Sequence, residues 1–512
     1  MIRSGKNKEW IRYAVCAAVV VIISLITACM PDNGVILRNQ TKSVPVYRVE
    51  REYSDGGLVL SEWTVDDEGN RVADKSDSIA EVRYEYDGMQ YVSRESYYGP
   101  DGNPASAKGG YASVSYEYDR NGNRAVIKYY DEEGEPAALL NGYAEVRYEY
   151  DEGNRKISET YYDKYGKPVT SAIGVYGIKY EYDENGKLAA ARFVDTKGNI
   201  MTCKSRYASY SNTCDAEGNV VSTKYYDLNG SLVIVPSYGY AEIRKDYDDE
   251  GRVEKESYFD TAGKAVTNVK GIASVRYTYD EEGLKTSEAY LDVEGSPSEN
   301  KAHISGVLNT YDDDSLLIRD ELQDLDGTLM DDQGYVSRLY EHTAIDLVSK
   351  ETYVDADDRV VMTKRGYAII SYEYDDLRNK IHTSYLDESG KPVMIKAGYA
   401  GIGMSYLRRR CIKEEYDDGR GNPVTASSGC HGLERTYDED WNLTQLTYIG
   451  LKGSPVINKK KGYATVRYEY DDVRNVIGET YLDAEGMPIK DGVNTIRRKY
   501  DADRRIISED KR

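Results

Sequence analysis

The sequence contains few Phe, Trp, His and Cys residues. Its 512 residues include two Phe, three Trp, four His and six Cys. Phe is the aromatic residue that can be buried without a hydroxyl group to satisfy, so its near absence argues against a conventional aromatic core. The four His share no recurrent spacing, and no nucleophile elbow, phosphate-binding glycine loop or zinc motif occurs. These absences predict a protein that is not an enzyme and that uses no cofactor or metal.

Basic residues are in the minority. Lys and Arg number 67 against 89 Asp and Glu, which gives a net charge of −22. Binding to nucleic acid requires a basic face, so nucleic acid is excluded as the expected partner. The same charge argues against direct adhesion to an anionic lipid surface.

Long hydrophobic runs are absent except at the N-terminus. Four basic residues fall within the first twelve residues, and an uncharged run follows from Tyr13 to Ala28. This pattern is typical of a secretory signal, and we assign residues 1–28 to it. The run ends in Ile-Thr-Ala-Cys29, which resembles the lipobox of bacterial lipoproteins and implies cleavage before Cys29 and lipidation of its thiol. The alternative is an uncleaved signal anchor. Both interpretations place the remainder outside the cytoplasm and attach it to the cell membrane.

Four cysteines remain after the signal. An exported protein is in a compartment that permits disulfides, and Cys203 with Cys214 is the pair nearest in sequence. The alternative is that these cysteines are substitutions at repeat positions. Cys214 stands where most repeats have Tyr, and the same explanation is preferred for Cys411 and Cys430.

The abundant aromatic residue is Tyr, with 51 copies that follow an internal repeat. Gly-Tyr-Ala begins repeats at positions 111, 143, 240, 367, 399 and 463, and degenerate starts fill the gaps at intervals of 30 to 33 residues. Fourteen units and a truncated fifteenth therefore occupy residues 46–512. Residues 29–45 form a short polar tether between the signal and the repeats.

Each repeat predicts one β-hairpin and a connector. In residues 111–118, small, apolar and aromatic side chains alternate with polar ones, which indicates a half-buried strand. The motif Asp-x-x-Gly-Asn that follows is typical of a tight turn, because Asp can accept backbone hydrogen bonds and Gly accepts a positive φ. A second strand then ends in Tyr-Tyr-Asp, and a segment that contains Pro leads to the next unit. The fold class is therefore all-β, a tandem array of about fourteen 32-residue hairpins in an elongated or spiralling antiparallel strip. We expect Tyr to stack on Tyr along the array, with hydroxyl groups near solvent or a turn Asp, and the Glu-Arg-Glu face to stay hydrated.

The doublet Tyr-Asp-x-x-Gly occurs twice in a full unit, as at Tyr118 to Gly122 and Tyr130 to Gly134. This motif resembles the YD repeats of the RHS family. The resemblance implies a strip of hairpins that can spiral into a shell, and an association with bacterial surfaces. The 32-residue period differs from the usual single YD spacing, so toxin delivery is not implied.

These observations predict a non-catalytic, extracytoplasmic repeat lipoprotein that acts as an envelope scaffold or binding surface. The start residues Tyr111, Tyr143, Tyr399 and Tyr463 are the candidate ligand contacts, because their sequence parity sets them apart from the core face. One alternative is a protein that binds cell-wall glycan. Another is an accessory lipoprotein that holds a protein partner.

Overall fold

A computed structural model describes residues 48–73, 79–325, 334–490 and 492–512. The predicted signal at 1–28, including its junction with Cys29, and the predicted tether at 29–45 lie outside the described residues. In the described part of the chain, no helix has the length and apolarity needed to cross a membrane.

Among the described residues, thirty strands form one open antiparallel sheet, in which each strand pairs with the strands before and after it in sequence. The strands make fifteen hairpins, numbered here in chain order, so the all-β array of hairpin repeats is confirmed. Within a hairpin six residue pairs typically face one another, whereas hairpins 3 and 4 are joined by only three. An isolated β-hairpin is only marginally stable, so the array gains its stability from contacts between neighbouring hairpins.

The strands are β1 (Arg48–Tyr53), β2 (Val59–Val65), β3 (Glu81–Tyr86), β4 (Val92–Tyr98), β5 (Ser113–Tyr118), β6 (Arg124–Tyr130), β7 (Glu145–Tyr150), β8 (Lys156–Tyr162), β9 (Gly177–Tyr182), β10 (Leu188–Val194), β11 (Ser209–Cys214), β12 (Val220–Tyr226), β13 (Glu242–Tyr247), β14 (Val253–Phe259), β15 (Ser274–Tyr279), β16 (Lys285–Leu291), β17 (Gly306–Tyr311), β18 (Leu317–Gln323), β19 (Ser337–His342), β20 (Val348–Val354), β21 (Ile369–Tyr374), β22 (Lys380–Leu386), β23 (Gly401–Leu407), β24 (Arg410–Asp417), β25 (Gly432–Tyr437), β26 (Leu443–Ile449), β27 (Thr465–Tyr470), β28 (Val476–Leu482), β29 (Thr495–Tyr500) and β30 (Ile506–Lys511).

The hairpin turn explains the Asp-x-x-Gly-Asn motif. In hairpin 3 the carboxylate of Asp119 accepts hydrogen bonds from the backbone N–H groups of Asn121 (2.8 Å) and Asn123 (2.9 Å). Gly122 has a φ of 82°, a left-handed conformation that closes the turn with a one-residue bulge in the strand register. We call this fourth residue of the turn the left-handed position.

The connector returns the chain along the opposite edge of the strip. After β6, a second Asp-led turn brings Pro136 into a bridge with Tyr130, and a third turn ends at Gly142. Successive connectors are also joined to one another: the N–H of Leu140 donates to Gly109 O, and that of Ala172 to Asn141 O. The strip therefore has a hairpin-turn edge and a connector edge, each repeated along its length.

The two faces of the sheet differ in chemistry. The tyrosine face carries the buried Val146 and the Tyr161 ring opposite it. On the other face, Glu145 is 8% exposed and forms an ion pair with Arg147, whose guanidinium carbon lies 3.8 Å from the Tyr162 ring centre. The expectation of a fully hydrated Glu-Arg-Glu face was wrong at this first Glu. Arg147, two residues later on the same strand, folds over Glu145 against the Tyr162 ring of the neighbouring strand, which sequence alternation cannot show.

Tyr hydroxyl groups join most hairpins to the preceding hairpin. Tyr150, the last residue of β7, donates to the backbone carbonyl of Arg124, the first residue of β6, at 2.9 Å. Twelve hairpins repeat this bond, with Tyr86, Tyr118, Tyr150, Tyr182, Tyr247, Tyr279, Tyr311, Tyr374, Tyr406, Tyr437, Tyr470 and Tyr500 as donors.

A second group of hydroxyls donates to carboxylates on the tyrosine face, such as Tyr353 to Glu351 at 2.7 Å. The expected partners, solvent or a turn Asp, are thus replaced by carbonyl and Glu oxygens. Phe has no hydroxyl group and would lose these bonds.

Candidate functional site: the aromatic ladder and the inter-turn seam

The start tyrosines lie in a ladder of rings whose contacts run from Tyr97 to Tyr161, from Phe193 to Tyr258, from Tyr335 to Tyr416 and from Tyr448 to Tyr481. Tyr111 contacts Tyr97 and Tyr129, with ring centres 5.6 and 5.0 Å apart. Tyr143 stacks on Tyr161 at 4.7 Å. The ladder alternates start residues with the first Tyr of each Tyr-Tyr doublet, and each ring pair adds about 0.5–1.5 kcal/mol beyond its buried area.

The two later start tyrosines have the same surroundings. Tyr399 stacks on Tyr416 at 4.5 Å, and Tyr463 lies 4.8 Å from Tyr481. All four start residues are half-buried. The structure therefore places them against neighbouring rings and does not bring them together into one pocket. Their role as ligand contacts stays a prediction.

The four cysteines of the array are free thiols in the structure. Cys203 is buried in the largest apolar cluster, and its burial raises the pKa of the thiol. Cys214 is half-buried at the end of β11, in the slot where twelve other hairpins have the hydroxyl-donating Tyr. The disulfide between these two residues stays a prediction.

The strip curls so that late hairpins lie on early connectors. Arg409, in the turn of hairpin 12, donates to the carbonyl of Ser106 in the connector after hairpin 2, at 2.8 Å. The indole of Trp441, in hairpin 13, donates to Ala138 O, in the connector after hairpin 3, at 3.0 Å. Arg474 of hairpin 14 and Arg504 of hairpin 15 likewise reach the connectors after hairpins 4 and 5. The offset is constant (12 − 2, 13 − 3, 14 − 4 and 15 − 5), so one turn of the spiral contains ten hairpins. We call this contact the seam.

Each seam arginine ties three segments together. Arg474 donates to Thr170 Oγ1 (3.0 Å) and Gly142 O (2.7 Å) in the first turn of the spiral. Its other terminal nitrogen donates to Asp440 O (2.8 Å) and Asn442 Oδ1 (3.0 Å) in the neighbouring hairpin. The rigid five-donor guanidinium group suits this arrangement, which a lysine could not reproduce.

Arg504 repeats the geometry one hairpin later. It donates to Thr202 O (2.7 Å) and Gly174 O across the seam, and to Val473 O (2.8 Å) and Asn475 Oδ1 (2.9 Å) beside it. Both guanidinium groups are almost fully buried, and burial lowers the pKa of each below its ordinary value. The acceptors are mainly neutral carbonyls, so the contacts are charge-assisted hydrogen bonds rather than salt bridges.

The seam requires particular residues on both sides. Arg474 and Arg504 have φ of 64° and 58° at the left-handed position, which costs a non-glycine residue about 1–2 kcal/mol. Opposite Arg474, a Cβ added to Gly142 would lie 2.5 Å from its Nη1. We number connector positions from the residue that bridges to the end of the preceding strand, such as Pro136. The side chain at the third position, two residues later, is small and buried in the connectors that the seam covers. Those residues are Ser106, Ala138, Thr170 and Thr202, which are 1%, 3%, 0% and 2% exposed.

Sequence reasoning missed the seam, although a signal was present. Gly occupies the left-handed position at 122, 186, 218, 251 and 283, whereas Arg occupies it at 378, 474 and 504. An arginine that repeatedly replaces a favoured glycine indicates a contact that outweighs the backbone cost.

Peripheral contacts widen the seam. Glu439 forms an ion pair with Lys164 at 2.9 Å and accepts the hydroxyl of Tyr165 at 3.1 Å. Tyr176 donates to Asp472 O at 3.1 Å. Because these side chains are largely exposed, their ion pairs contribute little beyond alignment.

No family model and no curated protein matches the chain. Solved structures do. The Tc holotoxin pore of Photorhabdus luminescens is 12% identical over 89% of this chain and 26% of that chain, with a TM-score of 0.31. The TcdB2–TccC3 structure is 11% identical over 89% of this chain and 27% of that chain, with a TM-score of 0.30. The chain thus spans about a quarter of the length of either of these proteins.

Proposed function

We propose that this protein is an exported, lipid-anchored, non-catalytic scaffold of a bacterial cell envelope. The observation that carries the proposal is the seam, which turns a one-dimensional row of hairpins into a braced spiral. Arginines, tyrosine hydroxyls and aromatic rings are all engaged in holding this shape. Such use of the polar groups favours a structural element over an active site.

The N-terminal signal supports attachment to the membrane through Cys29. Replacement of Cys29 with Ala is expected to move the protein from the membrane fraction to the soluble fraction and to abolish incorporation of labelled palmitate. Cys16→Ala, inside the apolar run, is the matched control and is expected to leave both properties unchanged. If the Cys29→Ala protein stays in membranes, the signal-anchor interpretation replaces lipidation.

The role as a scaffold for a partner is tested separately, by mild crosslinking of intact cells followed by purification of the full chain. Crosslinked species of defined size support the proposal. Recovery of the monomer alone contradicts it. The resemblance of the Tyr-Asp-x-x-Gly motif to YD repeats is consistent with such a surface role, and enzymatic activity is not proposed.

A further inference from the structure

The hairpin-turn edge of the first spiral turn is acidic. Hairpins 4 to 9 carry exposed carboxylates at the central positions of their turns, beyond the Asp that caps the backbone. One from each hairpin is Glu152, Glu184, Glu217, Asp249, Glu282 and Asp314. Neighbouring strands lie about 4.8 Å apart, so successive turns follow one another at about 10 Å along this edge. In contrast, hairpins 12 to 15 use their turns to make the seam.

The last turns of several later connectors are basic. The last turn of each of the connectors after hairpins 7, 8, 10, 11 and 13 carries exposed cations, among them Lys270, Lys301, Lys364, Lys396 and Lys460. Under the seam the same turn is uncharged after hairpins 3 and 4, at Leu140-Asn141 and Ala172-Ile173, and carries one exposed lysine after hairpins 2 and 5, Lys108 and Lys204. The first turn of the later connectors is mainly acidic, with Asp357, Asp358 and Glu388 among its exposed residues, so the positive charge is concentrated at the last turn.

Apolar side chains accompany these cations. The third connector position, small and buried under the seam, is occupied in later connectors by Ile234, Met394 and Ile457. These residues are 43%, 49% and 46% exposed. Aliphatic groups at the position that the seam covers in earlier connectors indicate a second contact of the same kind.

We propose that the basic last turns on the connector edge of one copy bind the acidic hairpin-turn edge of a second copy. The seam already joins a hairpin-turn edge to a connector edge within one chain, so the two edges have compatible shapes. The cations of the last connector turns are opposite in charge to the hairpin-turn carboxylates, and the two groups lie on opposite edges of the strip. The contact is therefore heterologous, and further copies add to the stack by repeating it. This inference goes beyond the proposed scaffold and does not depend on lipid anchoring.

Salt dependence follows from the same charges. The net charge of −22 repels two copies at a distance, so association relies on local pairing of the edges. Exposed charges are screened beyond about 10 Å at 0.1 M salt. Association is thus expected to be tightest at moderate salt and to weaken when the paired edges are screened at high salt.

Sedimentation velocity on the full chain in mild detergent tests the proposal, at about 100 mM and about 500 mM NaCl. We expect species larger than the monomer that grow with protein concentration and dissociate at the higher salt. Changing Lys459, Lys460 and Lys461 together to Glu is expected to weaken association at least tenfold. A control triple variant, Lys179→Glu, Arg276→Glu and Lys499→Glu, makes the same change in net charge on the exposed sheet face and is expected to associate like the wild type.

Reversal of the acidic edge provides the decisive comparison. The variant Asp249→Lys, Glu250→Lys and Glu282→Lys is expected to lose self-association and to regain it when mixed with the Lys459–461 variant. A protein that stays monomeric at both salt concentrations overturns the proposal. Association that survives both edge reversals, or that the control variant abolishes equally, also overturns it.

Discussion

Replacement of Arg474 with Gly is expected to open the seam at hairpin 14. The substitution removes two hydrogen bonds across the seam, to Thr170 and Gly142. A hydrogen bond to a charged group contributes a net stabilisation of about 1.5–3 kcal/mol, so the two contribute about 3–6 kcal/mol. Glycine at a φ of 64° relieves about 1–2 kcal/mol of backbone strain. The free energy of opening the seam is therefore expected to fall by about 1–5 kcal/mol.

Trp441 provides the assay, because its indole N–H donates across the seam to Ala138 O. In a background in which Trp10 and Trp63 are changed to Tyr, Trp441 is the sole indole. Its fluorescence during a urea titration then reports the opening of the seam. The expected change corresponds to a roughly 5- to 4,000-fold increase in the open population, since 1.4 kcal/mol is a factor of ten.

The matched control is Ser315→Gly, at the left-handed position of hairpin 9. Ser315 has a φ of 62°, is exposed and lies on the free hairpin-turn edge. Its replacement relieves the same backbone strain without loss of a seam contact, so the stability is expected to stay equal or to rise slightly. If Arg474→Gly behaves like this control, the guanidinium group does not hold the seam and the reasoning is refuted.

Three further outcomes are expected. Tyr150→Phe should lower the free energy of unfolding by about 0.5–1.5 kcal/mol in the same urea titration, because it removes the hydrogen bond to Arg124 O. Tyr91→Phe is the control and should be neutral, because the exposed Tyr91 hydroxyl has no protein acceptor among the described residues. Burial raises the pKa of Glu351, so its charged form opposes folding. The wild type should therefore gain stability relative to Glu351→Gln as the pH falls from 7 toward 4. A difference in unfolding free energy that stays constant over this pH range would contradict the prediction. In a pull-down on purified cell wall, retention released by soluble glycan would support sugar binding, and a Tyr399→Ala variant retained equally would exclude that ring as a contact.

Local features of the fold were predictable because they depend on neighbouring residues. Asp119 and Gly122 define the hairpin turn through backbone capping and a left-handed φ, and both follow from residue type. Period-two alternation located the strands, and the repeat length gave the number of hairpins. The hydroxyl bond of Tyr150 was not predictable in detail, since its acceptor, Arg124 O, belongs to the preceding hairpin and depends on the register between hairpins.

The candidate site was less predictable than the fold. The start residue Tyr143 was assigned to an outer surface by its parity along the strand, but its ring stacks on Tyr161. It lies at the end of the connector, just before β7 begins, so strand parity does not apply to it.

The sequence alone determined that this protein is a row of tyrosine-rich hairpins, because turn chemistry and alternation are local and are repeated in every unit. Only the tertiary structure decided that ten hairpins make one turn of the spiral. It also decided that Arg474 and Arg504 donate hydrogen bonds to residues some 300 positions earlier in the chain. The curvature that brings these residues together is the sum of small rotations between neighbouring hairpins. The sequence of one repeat does not determine the total rotation over ten hairpins. A small change in each rotation would align the arginines with different connectors.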